Sequence, residues 1–376
     1  MNIAFIGHYS ENGLNGVSVT GYVLAKALVE QGHSVFFYYI SDKEFVEKEK
    51  IGVLSRSFKR ESRFRLPQNM IDFFKKNPDQ IDIFHIHSVF YPNNTLVAAA
   101  LHKFKLPYVI TPHGGYDPHV FQKNWLKKQI YYYLFEKQMI ERASSIFCVT
   151  DRESEDLEKL SYKGMTLVTY NPIEPIPLPK KNISPSSRKT VLFLGRYDMN
   201  HKGLDILLHI FKEINALDKN IDLQLYGKGG DKENLIALSK QLGVENVYIN
   251  DPISGSEKFE LLSQATIAIM PSRWEAFGTA SFEAAMMGVP VAVSRSFNMS
   301  DFIEKHQLGI ILESDIKKAA QQIKDFVNNQ ELLAQISSKN RETVTTIFSL
   351  PNIAKIVSEG YKKAIEIHKN RTKLKQ

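Results

Sequence analysis

The sequence predicts an α/β protein with two doubly wound domains facing each other across a cleft, and three observations predict it. Short β-branched, apolar runs alternate with segments of helical period along most of the 376 residues, which implies strand–helix–strand units with right-handed crossovers. Runs such as Val35-Phe36-Phe37-Tyr38-Tyr39-Ile40 are apolar on both faces, as parallel strands covered by helices on each side must be. The alternation stops at Asn171-Pro172-Ile173-Glu174-Pro175-Ile176-Pro177-Leu178-Pro179, and five of the 15 prolines fall between 172 and 185. Proline removes a backbone donor and biases its predecessor toward extended conformations. The segment therefore divides the chain into domains 1–172 and 190–350, joined by a semi-rigid linker 173–189.

In the first domain, strands are expected at 2–6, 34–40, 81–86, 107–111, 145–150 and 165–169. Helical patterns occupy 17–31, 67–77, 94–104, 124–142 and 151–160. After the linker, strands are expected at 191–195, 221–226, 246–250, 266–270, 290–293 and 309–311, with helices between them. The stretch 314–369 carries no strand signal and reads as helix broken near Pro351. In open parallel sheets ligands bind beyond the carboxyl ends of the strands, so the cleft is the expected site.

Lys and Arg number 48 against 41 Asp and Glu, a formal charge of +7, and the 43% hydrophobic and 24% charged fractions exclude disorder and fibrous repeats. A single cysteine, Cys148, excludes an intrachain disulfide. No apolar run reaches the roughly 18 residues of a membrane span, and Met1-Asn2-Ile3-Ala4-Phe5-Ile6-Gly7 reads as a buried strand rather than a signal peptide. A cytoplasmic location is expected. Positive charge gathers at Arg56, Lys59, Arg60, Arg63 and Arg65, at Lys123, Lys127 and Lys128 around Trp125 and Tyr131-Tyr132-Tyr133, and in the tail at Lys369, Arg371, Lys373 and Lys375. Such clusters suit a solvated face or, where mixed with Phe, Trp and Leu, an anionic membrane surface. No nucleic-acid module is recognisable, so nucleic acid is not expected as a partner.

Two constellations can carry chemistry. Gly195-Arg196-Tyr197-Asp198-Met199-Asn200-His201-Lys202-Gly203 follows a strand and opens the helix Leu204-Asp205-Ile206. Free N–H groups at a helix start attract anions, and Arg196 and Lys202 add two positive charges. The second is Pro271-Ser272-Arg273-Trp274-Glu275-Ala276-Phe277-Gly278-Thr279, which leads into a helix carrying Glu283, with Ala280, Ala284 and Met287 expected against the sheet. Glu275 and Glu283, with seven residues between them, can each accept hydrogen bonds from vicinal hydroxyls of a sugar ring, and the N–H groups of Phe277, Gly278 and Thr279 face whatever sits above the helix start. Read alone, an isolated pair of this kind favours Glu275 as a loop charge and Glu283 as a dipole-compensating first-turn acid.

Together these segments resemble the retaining GT-B glycosyltransferases, most closely glycosyltransferase family 4, also described as glycosyl transferases group 1. The resemblance extends to Leu225-Tyr226-Gly227-Lys228-Gly229 and Gly288-Val289-Pro290-Val291 and covers essentially the whole chain. It implies that Arg196 and Lys202 grip a donor diphosphate, that Glu275 meets the donor sugar and Glu283 the ribose, and that a C-terminal helix, about 351–369, returns to the first domain. The donor implied is a UDP-, GDP- or dTDP-sugar, with no further cofactor. Hexosyl transfer to a saccharide or lipid-linked acceptor, with retention and without metal, is the implied reaction. No Asp-x-Asp, His-x-x-x-His or Cys pair offers metal ligands.

In the first domain, Glu11-Asn12-Gly13-Leu14-Asn15-Gly16 matches the family's glycine-rich loop, placing Gly16 at the donor phosphate and Asn15 on the acceptor side. A nicotinamide site is the competing reading, with Asp42 after the second strand, but Gly13-x-x-Gly16-x4-Gly21 departs from Gly-x-Gly-x-x-Gly. Thr111-Pro112-His113-Gly114-Gly115 matches a His-Gly segment that faces the donor sugar, which makes His113 the candidate group at the reacting centre and Gly114 an acceptor-side neighbour. His85 and His87 share one strand face, and His87 is an acceptor-side candidate. Asn171-Pro172-Ile173-Glu174 departs from the family's Asn-Gly-x-Asp, and Asp198 is left without a task. A catalytically silent GT-B subunit and a nucleotide-sugar epimerase are the alternatives.

Overall fold

β-Branched and aromatic runs flanked by turns become parallel strands because helices cover both of their faces. The computed structural model describes residues 1–9, 16–62, 65–122, 124–176 and 188–374 and divides the chain into two units. Unit 1 is Met1–Glu174 with Phe348–Gln376; unit 2 is Pro175–Ile347. Of the expected linker, 177–187 lies outside the described residues, as does the expected loop 10–15 with Asn15.

Unit 1 contains β1 (Asn2–Ile6), β2 (Ser34–Ser41), β3 (Phe45–Lys48), β4 (Leu54–Lys59), β5 (Ile83–His87), β6 (Tyr108–Thr111), β7 (Ser145–Cys148) and β8 (Thr166–Val168). Their order is β3-β4-β2-β1-β5-β6-β7-β8, parallel throughout except for the β3–β4 pair. The chain runs outward from β1 in both directions, which creates the switch point of a doubly wound sheet. The β3–β4 hairpin was not expected from the sequence. Arg56, in the expected basic cluster, lies on β4 with its guanidinium 4.7 Å from the Phe73 ring centre.

The helix Leu350–Lys373 starts after Ser349 with Pro351 in its first turn, where a missing N–H costs nothing. It packs against the helix Gly16–Glu30 within unit 1. Leu350, Ile353, Ala354, Val357, Tyr361 and Ala364 join Phe5, Phe37, Val109 and Phe147 in one core. Gly360 permits the closest approach, since a Cβ there would stand 2.4 Å from Leu167 Cδ2. The expected helix 124–142 is continuous but changes pitch: Trp125–Tyr131 and Lys137–Arg142 are α-helical, and Tyr132–Glu136 is a π-helical turn.

Unit 2 contains β9 (Lys189–Leu194), β10 (Ile221–Tyr226), β11 (Val247–Asn250), β12 (Ile267–Met270), β13 (Val291–Ser294) and β14 (Gly309–Leu312), all parallel in the order β11-β10-β9-β12-β13-β14. β9 stands between β10 and β12, so the loops after β9 and β12 leave the sheet at its switch point, and these loops carry the two constellations.

Candidate functional site

The loop after β9 does not run straight into its helix. A four-residue helix, Met199–Lys202, intervenes, and Asp198 caps it by accepting a hydrogen bond from His201 N at 3.0 Å. That is the task sequence reading left unassigned. Gly203 ends this helix and begins the next, Leu204–Leu217, at φ +63°. A Cβ on Gly203 would stand 2.1 Å from the Pro271 carbonyl oxygen, so the two site loops meet where only glycine fits.

Arg273 ties the loops together. Its guanidinium forks onto Asp205 at 2.8 and 2.6 Å and donates to the Met199 and Asn200 carbonyls at 3.2 and 3.0 Å. Its backbone N–H donates to the His201 carbonyl, and the Trp274 ring stacks on His201 with centroids 4.5 Å apart. Within this frame Lys202 Nζ donates to Glu275 Oε2, with both side chains largely withdrawn from solvent. Arg196 behaves differently. It is 61% exposed and its Nη2 reaches His201 Nδ1 at 3.0 Å and Asp198 Oδ2 at 3.4 Å. The cations expected to act as a pair thus have separate partners, one an inward acid and one an outward network. Burial and the Lys202 charge push the His201 pKa down, which favours a neutral ring able to accept from Arg196.

The helix that begins at Thr279 ends at Met286, and Gly278 caps its start at φ +64°. A Cβ on Gly278 would press within 2.6 Å of the Phe297 ring, so glycine permits the turn that aims the Phe277–Thr279 backbone. Ser281, Phe282, Ala284, Ala285 and Met286 are its buried residues; Ala280 and Met287, expected inward, are only partly covered. Glu283 pairs with Lys258 at 2.8 Å, a lysine on the helix Gly255–Gln264 that sequence reading passed over. Its nearest signal was two turns of charged helix after β11, too common to single out.

In unit 1, Gly16 is the first residue of its helix, with open space where a Cβ would project. His113 sits beyond β6 at φ +54°, followed by Gly114 at φ +77°. Gly114 N–H donates to Glu153 Oε1 at 2.5 Å, and Val149 N–H donates to the other oxygen at 2.7 Å. Burial raises the Glu153 pKa to about 7 despite these donors. His87 Nδ1 and His113 Nε2 share a hydrogen bond at 2.9 Å, the His85 ring stacks on His87 at 4.0 Å, and His85 reaches Tyr361 Oη and Thr111 Oγ1 at 2.7 Å each. Burial pushes His113 down to about 4 and holds His85 and His87 well below the usual histidine range. The row is therefore neutral near pH 7. His87 also lines a pocket of about 590 Å³ with His8, Ser18, Arg60, Tyr91 and Asn94.

Among the described residues no three His, Cys, Asp or Glu side chains converge as metal ligands, and no helix is long and apolar enough to cross a membrane.

Comparison with known proteins gives the family. The family model described as Glycosyltransferase Family 4 matches residues 14–175, and that described as Glycosyl transferases group 1 matches residues 177–343. The chain belongs to this glycosyltransferase family, with the GT-B fold. An uncharacterized glycosyltransferase of Haemophilus influenzae is 24% identical over 339 residues, covering 88% of this chain and 91% of the relative. A capsular polysaccharide biosynthesis glycosyltransferase of Staphylococcus aureus is 26% identical over 42% of this chain and 41% of its own length. Among solved structures, sucrose-phosphate synthase from Thermosynechococcus elongatus aligns with a TM-score of 0.78 at 17% identity, covering 96% of this chain and 98% of that one. An Anabaena protein in complex with UDP and glucose aligns at 0.76 with 16% identity, covering 96% of this chain and 99% of that one.

Proposed function

We propose that the protein moves a hexosyl group from a nucleoside-diphosphate sugar to a hydroxyl of a saccharide or lipid-linked saccharide, with retention and without a metal, in the synthesis of a cell-surface polysaccharide. The observation that carries this reading is the Lys202–Glu275 pair, on two loops that Arg273 ties together beside the glycine-capped start of the Thr279 helix. It puts a cation suited to phosphate and an acid suited to sugar hydroxyls in contact.

In the proposed step a bond forms between the acceptor oxygen and the anomeric carbon while the bond from that carbon to the β-phosphate oxygen breaks. The acceptor proton passes to the departing diphosphate. Charge grows on the β-phosphate, and Arg196, Lys202 and the Phe277–Thr279 N–H groups are assigned to stabilise it. Glu275 is assigned to the sugar and Glu283 to the ribose, while the neutral His113 ring hydrogen-bonds the transferring sugar. Gly16, with nothing in the way of close backbone approach, is assigned to the phosphates, and His87 and Gly114 to the acceptor side. The sequence contains no Asp-x-Asp, which favours a metal-independent route. The Staphylococcus aureus relative's role in capsular polysaccharide biosynthesis favours the surface-polysaccharide reading. A lipid-linked acceptor would place the enzyme at the inner face of the plasma membrane.

A thermal-shift panel with UDP, GDP, dTDP and their sugars tests this. One nucleotide should raise the unfolding midpoint clearly above the others. No shift with any of them would remove the donor reading and favour a catalytically silent subunit.

A further inference from the structure

The pocket of about 590 Å³ that His87 lines lies beyond the carboxyl ends of β1, β4 and β5, and all of its described lining residues belong to unit 1. His87 is 5% exposed, its Nδ1 is engaged with His113, and its Nε2 is buried without a hydrogen-bond partner. A buried ring nitrogen left unpaired costs free energy that a ligand hydroxyl would recover. Burial keeps this imidazole neutral, with one donor and one acceptor nitrogen, and a hydroxyl can partner either.

Two exposed side chains on the same pocket are equally unengaged. Tyr91 is 60% exposed and its ring stacks on no other among the described residues. Arg60 follows β4, and its guanidinium makes no hydrogen bond or ion pair among the described residues. Its neighbour Glu61 turns instead to the Gln68 N–H at 3.4 Å and lines a different cavity with Arg65. No Asp or Glu is among the described residues lining the His87 pocket. The loop that presents Tyr91 is held in place. Ser88 and Phe90 sit at φ +70° and +61°, a left-handed backbone that non-glycine residues keep only where their surroundings fix it. Asn94 Nδ2 donates to the His87 and Ser88 carbonyls at 2.9 Å each, and the Phe90 N–H donates to the buried Glu136 at 2.7 Å.

We propose that this pocket binds an acidic sugar of the acceptor, one that carries a carboxylate or phosphate on its ring, with Tyr91 taking the C–H face, His87 a hydroxyl and Arg60 the anionic group. The electron-rich face of an aromatic ring attracts the slightly positive hydrogens of a sugar face. A guanidinium forks onto carboxylate or phosphate oxygens, and no acid in the pocket competes for it. The inference rests on the reading that unit 1 receives the acceptor, and adds to it the acceptor's charge.

Ligand-observed NMR titration of the full chain with methyl glucuronoside, glucose 6-phosphate and methyl glucoside tests it. At least one acidic sugar should bind ~10-fold or more tightly than methyl glucoside, the worth of a charge-assisted contact, and the winner tells carboxylate from phosphate. It should stay bound alongside the nucleoside diphosphate that the thermal panel selects. Arg60→Gln should abolish the preference and leave methyl glucoside binding unchanged, whereas Tyr91→Ala should weaken all three sugars. Both positions are exposed, so each variant should keep the wild-type unfolding midpoint. Equal binding of acidic and neutral sugars would overturn the proposal, as would a preference that survives Arg60→Gln. Displacement of the acidic sugar by the nucleotide would also overturn it and give the pocket to the donor. A nucleotide shift without an acid preference removes this inference alone; an acid preference without any nucleotide shift removes the transfer reading and leaves the acidic-sugar pocket standing.

Discussion

Lys202 and Glu275 lie 73 positions apart and touch, and Lys258 meets Glu283 in the same unit. All four residue types were visible in the sequence, but the pairings depend on how β9 and β12 bring their loops together. Sequence spacing could flag the acids without revealing that each is held by a lysine. Lys202→Ala should lower turnover by ~10²–10³-fold, the loss seen when one preorganised donor to a developing anion is removed. Steady-state transfer with the donor named by the thermal-shift panel checks this, and a loss under ~3-fold would remove Lys202 from the chemistry. The histidine row makes a separate prediction. Ordinary histidine takes up a proton near 6.5, but in the folded chain His113 does so only at about 4. As pH falls from about 6.5 toward 4, the unfolded state binds more protons than the native one, so His113 costs stability progressively over that window. Glu136 and Glu153, raised by burial from 4.5 to about 7, act with opposite sign: stability is lost as pH rises through that interval. Denaturant unfolding at pH 5 and 7.5 should therefore show a smaller acid-side loss in His113→Asn than in wild type. Equal losses would show that the ring does not titrate this way.

Elements followed the sequence where their pattern was strong. The interior parallel strands were legible because burial on both faces demands apolar residues at successive positions. β3 and β4 were not: Phe45–Lys48 is exposed along its whole length, and Leu54–Lys59 buries two serines, so neither shows an apolar run. The four-residue helix Met199–Lys202 is too short for a period to register, and the π turn differs from α-helix by a single inserted residue. Gly203 is where the two site loops meet most closely. Gly203→Ala would place an L side chain at φ +63° and against the Pro271 carbonyl, costing at least ~1–2 kcal/mol. In a domain of this size that should lower the melting midpoint of unit 2 by several degrees, and an unchanged midpoint would show that the loops meet less tightly than described.

Across the whole molecule, the strand-free C-terminal segment was legible as helix, while 177–187 of the expected proline-rich linker lies outside the described residues. The destination of the last helix came from the family resemblance, and the chemistry that fixes it was beyond sequence reading. Tyr361 reaches His85 across 276 positions, and Gly360 presses on Phe147 and Leu167. The helix Leu350–Lys373 covers one side of the unit 1 sheet with six buried hydrophobic residues, so a chain ending at 347 would expose Phe5, Phe37, Val109 and Phe147. Such a truncation should leave unit 2 able to bind nucleotide while unit 1 loses cooperative unfolding. Differential scanning calorimetry would register the loss of one transition; two intact transitions would contradict this role for the helix.

Arg196 is the most exposed charged side chain assigned to the donor. Isothermal calorimetry should compare the nucleoside diphosphate that wins the thermal panel with its monophosphate, on wild type and Arg196→Ala. The expected result is a diphosphate affinity that falls ~10-fold or more in the variant, the worth of a charge-assisted contact, while the weaker monophosphate affinity barely moves. Equal diphosphate affinity in the two proteins would contradict a pyrophosphate held at the β9 loop.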